Sequence, residues 1–232
     1  MDYSEVYEKV ASQVKQIVIL NQSDHIISSG TAFVVGDGTQ LLTCSHCIQV
    51  GDGQRLVLLE YDKIIDIPLD VIIDDQQNDF ALLKTTENLG KGLNVIDSKD
   101  IKVGNEIFTI GFPYQLITKR TLTAGYVASL YDNSIRINNS VNNGNSGGPL
   151  FDKEGNVIGI VNAKMGSLSK FLQKVSQKST NGVFVNFGGI DPIGTMKQMI
   201  VEMQQNLNLG IGYAISTNFI KNKNTEIAKI IK

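Results

Sequence analysis

The chain has 232 residues, of which 42% are hydrophobic and 19% charged, so it is long and apolar enough for one large β-rich domain or two small ones. Its formal net charge of −2 gives no reason to expect a nucleic acid or an anionic membrane as a partner. No apolar run reaches the ~18 residues of a membrane span, and the polar start at Met1–Glu5 lacks the pattern of a secretory leader, so we expect a cytoplasmic protein.

The first predicted element is a helix over residues 3–14, which leads into a strand over residues 15–20. Apolar side chains recur here at helical spacing, at Val6, Val10, Val14 and Ile17. Asp2 and Glu5 have the spacing of a capping box, in which side chains accept from free N–H groups of the first turn. The sequence therefore predicts a capped helix at the N-terminus.

Short apolar runs separated by turn residues follow in two sets. The first set lies near residues 15–20, 31–36, 40–43, 55–60, 63–72 and 80–84, and the second near residues 106–110, 121–130, 134–138, 149–151, 156–163 and 211–216. This spacing is typical of antiparallel β-barrels. We predict a mainly β protein with an N-terminal half over residues 1–115 and a C-terminal half over residues 116–232.

Residues 166–209 interrupt the β pattern and predict two inserted helices. Apolar residues recur at helical spacing, first at Leu168, Phe171, Leu172 and Val175, and then at Met196, Met199, Ile200, Met203 and Leu207. Asp191 and Pro192 suit the start of the second helix, because Asp accepts from free N–H groups and Pro fits the first turn. Two interpretations stay open, a structural helical hairpin and a lid or docking surface for a regulatory protein partner.

The tail over residues 217–232 predicts a last helix. Its inward positions are Ile220, Ile227 and either Ile230 or Ile231.

The most informative run of residues is Asn143-Gly144-Asn145-Ser146-Gly147-Gly148-Pro149-Leu150, a glycine-rich turn before an apolar strand. A nucleophilic serine needs an exposed hydroxyl and backbone N–H groups that converge on a developing oxyanion. Glycines allow such a turn because they carry no Cβ. The simpler interpretation is a loop that joins two strands, and the length of the motif favours the nucleophile at Ser146.

A serine hydroxyl needs a base, and the chain has only two histidines. His46 follows an apolar, strand-like run, whereas His25 lies in a polar, turn-like stretch and is interpreted as structural or solvated. Asp79 precedes the apolar run Phe80–Lys84 and could simply cap a turn. Together with Ser146 and His46, it is the candidate carboxylate that orients the imidazole.

The motifs T-x-x-H-C, D-F-A-L-L-K and G-N-S-G-G-P-L, in this order, resemble those of the trypsin/chymotrypsin-like serine peptidases, and most of all the Deg/HtrA branch. Further segments agree, namely G-T-A-F-V-V, I-G-F-P and T-L-T-A-G-Y-V. The resemblance covers about residues 15–165 and 210–220. It implies two six-stranded antiparallel barrels, with His46 and Asp79 from the first barrel and Ser146 from the second. Since the chain ends after the predicted last helix, we expect no PDZ domain.

The resemblance also implies the activity and the rest of the site. The expected reaction is endoproteolysis of a protein or peptide through an acyl-enzyme, with backbone N–H groups in the Gly144–Ser146 turn, which includes Asn145, forming the oxyanion hole. The family places a substrate pocket at Ser140, Val161, Asn162, Ala163 and Ile211. Since Ser140 is no acid, we expect no strong preference for basic side chains.

Cys44 and Cys47 flank His46 and are the only cysteines. A bridge between them would strain a short loop. Four cysteines are not available for a zinc site, and the spacing of the histidines fits no finger pattern. We therefore expect buried free thiols, no metal and no cofactor.

Two interpretations of function stay open. The first is a cytoplasmic protease with a regulatory or quality-control role. The second is a protein-binding module that keeps the fold without hydrolysing peptides.

Overall fold

The computed structural model describes residues 2–60, 63–65, 67, 69–113, 119–163, 195 and 210–232. Apart from Thr195, the helical insertion predicted at residues 166–209 lies outside these residues. The boundary expected near residue 115 also lies outside them. The predicted mainly β fold with two barrel-like bodies is confirmed.

The first body is a curled antiparallel sheet of seven strands in the order β5-β4-β1-β2-β3-β7-β6. The strands are β1 (Val14–Leu20), β2 (Ile26–Val35), β3 (Gln40–Thr43), β4 (Arg55–Glu60), β5 (Lys63–Ile65), β6 (Asp70–Asp75) and β7 (Phe80–Lys84). All seven residues of β1 are buried, because this strand pairs with β2 on one side and β4 on the other. The sheet therefore has its core along β1 to β3.

The first body differs from the six-stranded closed barrel that the resemblance implies. The run predicted over residues 63–72 is divided into β5 and β6, which lie at opposite edges of the sheet, and no pairing among the described residues joins these edges. The run contains Pro68, which has no N–H group to give to a strand ladder, so a single continuous strand is disfavoured there.

The second body is a closed six-stranded barrel in the order β10-β13-β12-β11-β8-β9. Its strands are β8 (Glu106–Gly111), β9 (Thr121–Leu130), β10 (Ser134–Ile137), β11 (Pro149–Asp152), β12 (Val157–Val161) and β13 (Gly212–Ser216). β8 precedes residue 115 but pairs only within this barrel. The cores of the two bodies are continuous, and one hydrophobic cluster includes Phe33 and Leu42 of the sheet together with Phe108 and Phe151 of the barrel.

The N-terminal helix is shorter than predicted. Helix α1 covers Ser4–Val10, and a 3-10 turn at Ala11–Gln13 leads into β1. The capping box does not form, because Tyr3 is the N-cap and Asp2 instead accepts from the backbone N–H and hydroxyl of Ser4. The helix packs on the second body, where the Tyr3 ring lies 5.0 Å from the ring of Phe108.

The predicted last helix is two helices, α2 (Thr217–Lys223) and α3 (Thr225–Ala228). Asn224 separates them with an extended backbone, and its side chain accepts from the N–H groups of Glu226 and Ile227. Asn favours such a cap over a helix interior, which explains the break. The side chains of Ile220, Ile227 and Ile231 are buried.

None of the helices in the described ranges has both the length and the apolar character needed to span a membrane.

Candidate active site

Ser146 lies in the turn that enters β11. The turn has two glycines with positive φ, Gly144 at 96° and Gly147 at 86°. A Cβ on Gly147 would lie 2.1 Å from the carbonyl oxygen of Thr31, so only glycine fits this position. The Gly147 N–H donates to the Val161 carbonyl at 2.8 Å, and the Gly148 N–H donates to the Asn145 carbonyl at 3.0 Å. These bonds fix the backbone around Ser146.

His46 lies in a 3-10 turn at Ser45–Cys47 directly after β3. Its Nδ1 is 2.7 Å from Oδ2 and 2.9 Å from Oδ1 of Asp79, and its backbone N–H donates to the same carboxylate at 2.9 Å. The ring is therefore fixed through Nδ1, which leaves Nε2 as the nitrogen for a substrate or a nucleophile. The second histidine, His25, is exposed in the turn after β1, where its backbone N–H donates to Asn21.

Asp79 has a backbone conformation that is rare for a residue other than glycine, with φ at 60°. The preceding turn is closed by Asp75, whose carboxylate accepts from the backbone and the side chain of Asn78. A second amide, Asn162 Nδ2 at the end of β12, donates to Asp79 Oδ2 at 2.7 Å. The carboxylate is thus positioned from both bodies.

Burial and hydrogen bonding act in opposite directions on this pair. Burial alone would raise the pKa of Asp79, but the hydrogen bonds and charge of His46, together with Asn162, hold it below 3.8. Burial likewise opposes the imidazolium of His46, but the hydrogen bond to Asp79 and the neighbouring Cys47 raise its pKa to about 9. The pair is therefore arranged to stabilise a positive imidazole next to a negative carboxylate.

The Ser146 hydroxyl is buried and accepts a hydrogen bond from the Ala163 N–H at 3.1 Å. Among the described residues, no hydrogen bond joins it to His46. The bond from Ala163 occupies a lone pair of Oγ and leaves the hydroxyl proton free to be donated elsewhere.

The turn offers two of the three expected oxyanion donors. The Asn145 N–H is occupied, because it donates to the Asn142 carbonyl at 3.0 Å. In the described part of the chain, the N–H groups of Gly144 and Ser146 have no such acceptor. The Ser146 N–H is oriented by its own peptide plane, since the Asn145 carbonyl at the other end of that peptide accepts from Gly148.

The residues expected in the substrate pocket do not share one environment. The Val161 side chain is buried in the core of the closed barrel, and Asn162 binds Asp79. Ser140 is exposed, as is Ile211 at 41% of its surface. Ala163 is half-buried and contacts Ser146 through its N–H group. Ser140, Ala163 and Ile211 therefore have exposed surface, and their part in a substrate pocket stays a prediction.

Sequence reasoning missed two contacts that position the site. Asn162 was expected in the pocket wall, yet it holds the carboxylate of Asp79. The Asp74 carboxylate accepts from the Ser45 hydroxyl next to His46, and also from the side chain of Gln49 at 3.2 Å. No motif marks these contacts, since they join β6 and β12 to loops that are distant in sequence.

Both cysteines are buried and free, as predicted. The Cys44 thiol donates to the Val161 carbonyl at 3.3 Å, and the Cys47 thiol donates to the Ser146 carbonyl at 3.4 Å. Cys44, His46 and Asp79 place one potential metal-binding atom each within 4.8 Å of one another. A metal ion there would have to displace the hydrogen bond between His46 and Asp79.

Comparison with known proteins agrees with this geometry. The family model of the trypsin-like peptidase domain matches residues 30–160, more than half of the chain. The chain is 33% identical over 144 residues to a "Probable periplasmic serine endoprotease DegP-like" of Brucella suis biovar 1. This alignment covers 58% of this chain and 27% of that protein. A protein of the same description from Halomonas elongata is 29% identical over 141 residues, or 57% of this chain and 29% of that protein. The chain thus spans less than a third of the length of these relatives.

Among solved structures, the HtrA-type protease AlgW with tripeptide is similar to this chain with a TM-score of 0.64 and 21% identity. The alignment covers 99% of this chain and 63% of that chain. The predicted resemblance to the Deg/HtrA branch is confirmed. The expected cytoplasmic location is wrong, because the curated relatives are named as periplasmic proteins.

Proposed function

The chain belongs to the family of trypsin-like peptidase domains, and from this premise we propose that it is a serine endopeptidase with Ser146 as its nucleophile. The observation that carries the proposal is the contact of 2.7 Å between His46 Nδ1 and Asp79, formed next to a glycine turn that presents Ser146. A base oriented by a carboxylate and a serine in a turn with free N–H groups are the parts that acyl transfer requires.

The reaction follows from these parts. Ser146 Oγ attacks the carbonyl carbon of a peptide bond while His46 Nε2 takes the hydroxyl proton. The hydrogen bond to Asp79 stabilises the imidazolium that forms. The negative charge that develops on the carbonyl oxygen is received by the N–H groups of Gly144 and Ser146. His46 then protonates the leaving amine, and a water molecule repeats the sequence on the acyl-enzyme.

The proposed substrate is a peptide or protein segment whose side chain before the cut is not basic. Ser140, at the position that the family places in the pocket floor, carries no charge, so nothing there would pair with Arg or Lys. Ile211 and Ala163 would add apolar contacts. A regulatory partner at residues 166–209 stays a proposal that rests on the sequence pattern alone.

The names of the curated relatives support a periplasmic location. Fractionation of cells that produce the full-length protein tests this proposal. Recovery with the cytoplasmic markers would contradict it.

The decisive experiment compares Ser146→Ala with the unchanged chain. Ser146→Ala should abolish labelling by an active-site phosphonate and lower kcat by more than about 10⁴-fold, because no nucleophile is left. His46→Ala should also abolish labelling, while His25→Ala, the matched change at the exposed histidine, should keep it. Circular dichroism would verify that all variants fold.

The alternative is a binding module that does not hydrolyse peptides. It is favoured by one observation: among the described residues, the Ser146 hydroxyl accepts from the Ala163 N–H and makes no hydrogen bond with His46. A folded chain that reacts with no serine-directed probe would support this alternative and contradict the endopeptidase.

A further inference from the structure

Thr31 of β2 is fully buried and makes hydrogen bonds with both bodies. Its hydroxyl donates to the Gly144 carbonyl at 2.6 Å and accepts from the Phe112 N–H at 3.2 Å. Its backbone N–H donates to the Ser146 carbonyl at 2.9 Å. One residue of the first body therefore holds two carbonyl groups of the turn that presents Ser146.

The hydroxyl bond fixes a particular peptide plane. The Gly144 carbonyl and the Asn145 N–H belong to the same planar peptide group. Thr31 Oγ1 holds the carbonyl end, and the Asn142 carbonyl accepts from the N–H end at 3.0 Å. The plane between Gly144 and Asn145 is thus held at both ends.

This plane lies between the two proposed oxyanion donors. The Gly144 N–H precedes it and the Ser146 N–H follows it, so a rotation of the plane would turn one or both donors away from the substrate. Gly144 has φ at 96° and no side chain to restrict such a rotation. Within the turn, the Asn142 carbonyl restrains only the N–H end of the plane. The Thr31 hydroxyl restrains the carbonyl end from the first body.

We propose that Thr31 is a positioning residue for the oxyanion hole, which acts through its hydroxyl on the Gly144–Asn145 peptide. This inference rests on the proposed function, since it assigns the Gly144 and Ser146 N–H groups to the oxyanion. The simpler interpretation is a buried hydroxyl that satisfies two backbone groups and contributes only to stability. The two interpretations differ in what they predict for kcat.

The test uses Thr31→Val, which keeps the shape of the side chain but removes the hydroxyl, and Thr31→Ser, which keeps the hydroxyl. Since loss of one oxyanion donor costs about 10²–10³ in kcat, a partly misplaced pair should cost about 10–10². We expect this loss in kcat for Thr31→Val, with KM changed by less than about twofold, because substrate binding does not use the oxyanion hole. Thr31→Ser should restore kcat.

Thr217→Val is the matched control. The Thr217 hydroxyl is also fully buried, and its single proton is shared between two carbonyls, Ile96 at 2.7 Å and Ile158 at 3.1 Å. Its loss should lower stability by a similar amount and leave kcat unchanged. If Thr31→Val does not fold, Thr31→Ala and Thr31→Ser take its place, because they differ from each other only in the hydroxyl. Equal kcat values with and without the hydroxyl would overturn the proposal.

A second measurement does not depend on hydrolysis. Hydrogen exchange of the Asn145 amide reports how often its peptide plane opens, and we expect exchange to be about tenfold faster in Thr31→Val than in the unchanged chain. Unchanged exchange in a folded Thr31→Val would refute the proposal. If the unchanged chain neither hydrolyses peptides nor reacts with a phosphonate, the proposed function fails, and exchange still decides whether Thr31 holds the turn.

Discussion

Asp79 is the residue whose carboxylate accepts most of the hydrogen bonds at the site. It accepts from the backbone and the ring of His46 and from the amide of Asn162. Its backbone has φ at 60°, a conformation that costs a residue other than glycine about 1–2 kcal/mol. The hydrogen bonds of the carboxylate offset this cost, because charge-assisted hydrogen bonds contribute about 1.5–3 kcal/mol each.

The pKa of His46 predicts the pH dependence of the reaction. As the proposed base, His46 must be neutral to take the serine proton. Burial opposes its charged form, but contacts with Asp79 and Cys47 raise its pKa from 6.5 to about 9. We therefore expect kcat/KM to increase with pH, with a midpoint above 6.5, since kcat/KM reports the free enzyme. Hydrolysis of a peptide substrate, measured from pH 5 to pH 10, tests this expectation.

Cys47→Ala refines the same measurement. Cys47 in its thiolate form is among the groups that raise the pKa of His46, so its removal should lower the midpoint. A midpoint at or below 6.5 in the unchanged chain would contradict the role assigned to the His46–Asp79 contact.

At the residue scale, the sequence predicted the residues whose chemistry is unusual for their surroundings. Ser146 is a serine among glycines, and His46 is one of two histidines, so each could be found by its type. Asn162 could not be found in this way. An asparagine after an apolar strand is common, and its role depends on a contact with Asp79, which is 83 residues away in sequence.

At the element scale, the end of β12 connects all parts of the site. The Val161 carbonyl accepts from the N–H of Gly147 and from the thiol of Cys44. The next residue, Asn162, binds Asp79, and Ala163 donates to Ser146. Three consecutive residues therefore contact the turn of Ser146, the loop of His46 and the Asp79 carboxylate, so a shift at this end of the strand would disturb all three.

The C-terminal helices fix the other end of β12 and the chain terminus. Thr217, the first residue of α2, donates to the Ile158 carbonyl. The Lys232 N–H donates to the Val95 carbonyl at 3.0 Å, and Val95 in turn forms a β-bridge with Val157. The last turn of the chain is thus linked to β12 through Val95.

Substitution of Ile227 in α3 tests how much the C-terminal helices contribute to the free energy of unfolding. Its side chain has no exposed surface, and Ile227→Ala should lower the free energy of unfolding by about 2–5 kcal/mol through lost burial and a new cavity. Ile230 is the matched control, because it is the same residue type three positions later but only partly buried. Urea unfolding measures both variants, and an equal loss at the two positions would contradict the assigned packing.

The sequence predicted where elements lie better than where they end. Strands such as β1 and β7 agree with their predicted ranges, since their apolar runs at Ile17–Leu20 and Phe80–Leu83 specify burial on both faces. The break between α2 and α3 was not predicted. The apolar spacing continues through Asn224, and only the cap that this side chain forms ends the first helix there.

At the scale of the whole molecule, the two bodies meet along a line of hydrogen bonds next to the site. Thr31 donates from its backbone to Ser146 and from its side chain to Gly144. Cys47 also donates to the Ser146 carbonyl. Ser146 thus belongs to the barrel by sequence and is held by the sheet through hydrogen bonds, so the proposed site forms only when the two bodies are docked.

Gly147 lies where the two bodies approach each other closely. A Cβ there would be 2.1 Å from the Thr31 carbonyl oxygen and 2.2 Å from the Thr43 hydroxyl, and both atoms belong to the first body. Gly104 has nearly the same φ, 89° against 86° for Gly147, but a Cβ there would meet nothing within 4 Å. Alanine at Gly104 therefore measures the free-energy cost of a Cβ at positive φ. Alanine at Gly147 adds the cost of a clash between the two bodies.

Gly104→Ala should lower the free energy of unfolding by about 1–2 kcal/mol, the cost of a left-handed conformation for a residue with a Cβ. Gly147→Ala should cost this amount and about 1–3 kcal/mol more for overpacking, and it should also abolish hydrolysis, because the barrel cannot reach the sheet without moving Ser146. Urea unfolding and peptide hydrolysis measure both effects. If Gly147→Ala lost no more stability than Gly104→Ala and stayed active, the bodies would not be docked through this turn.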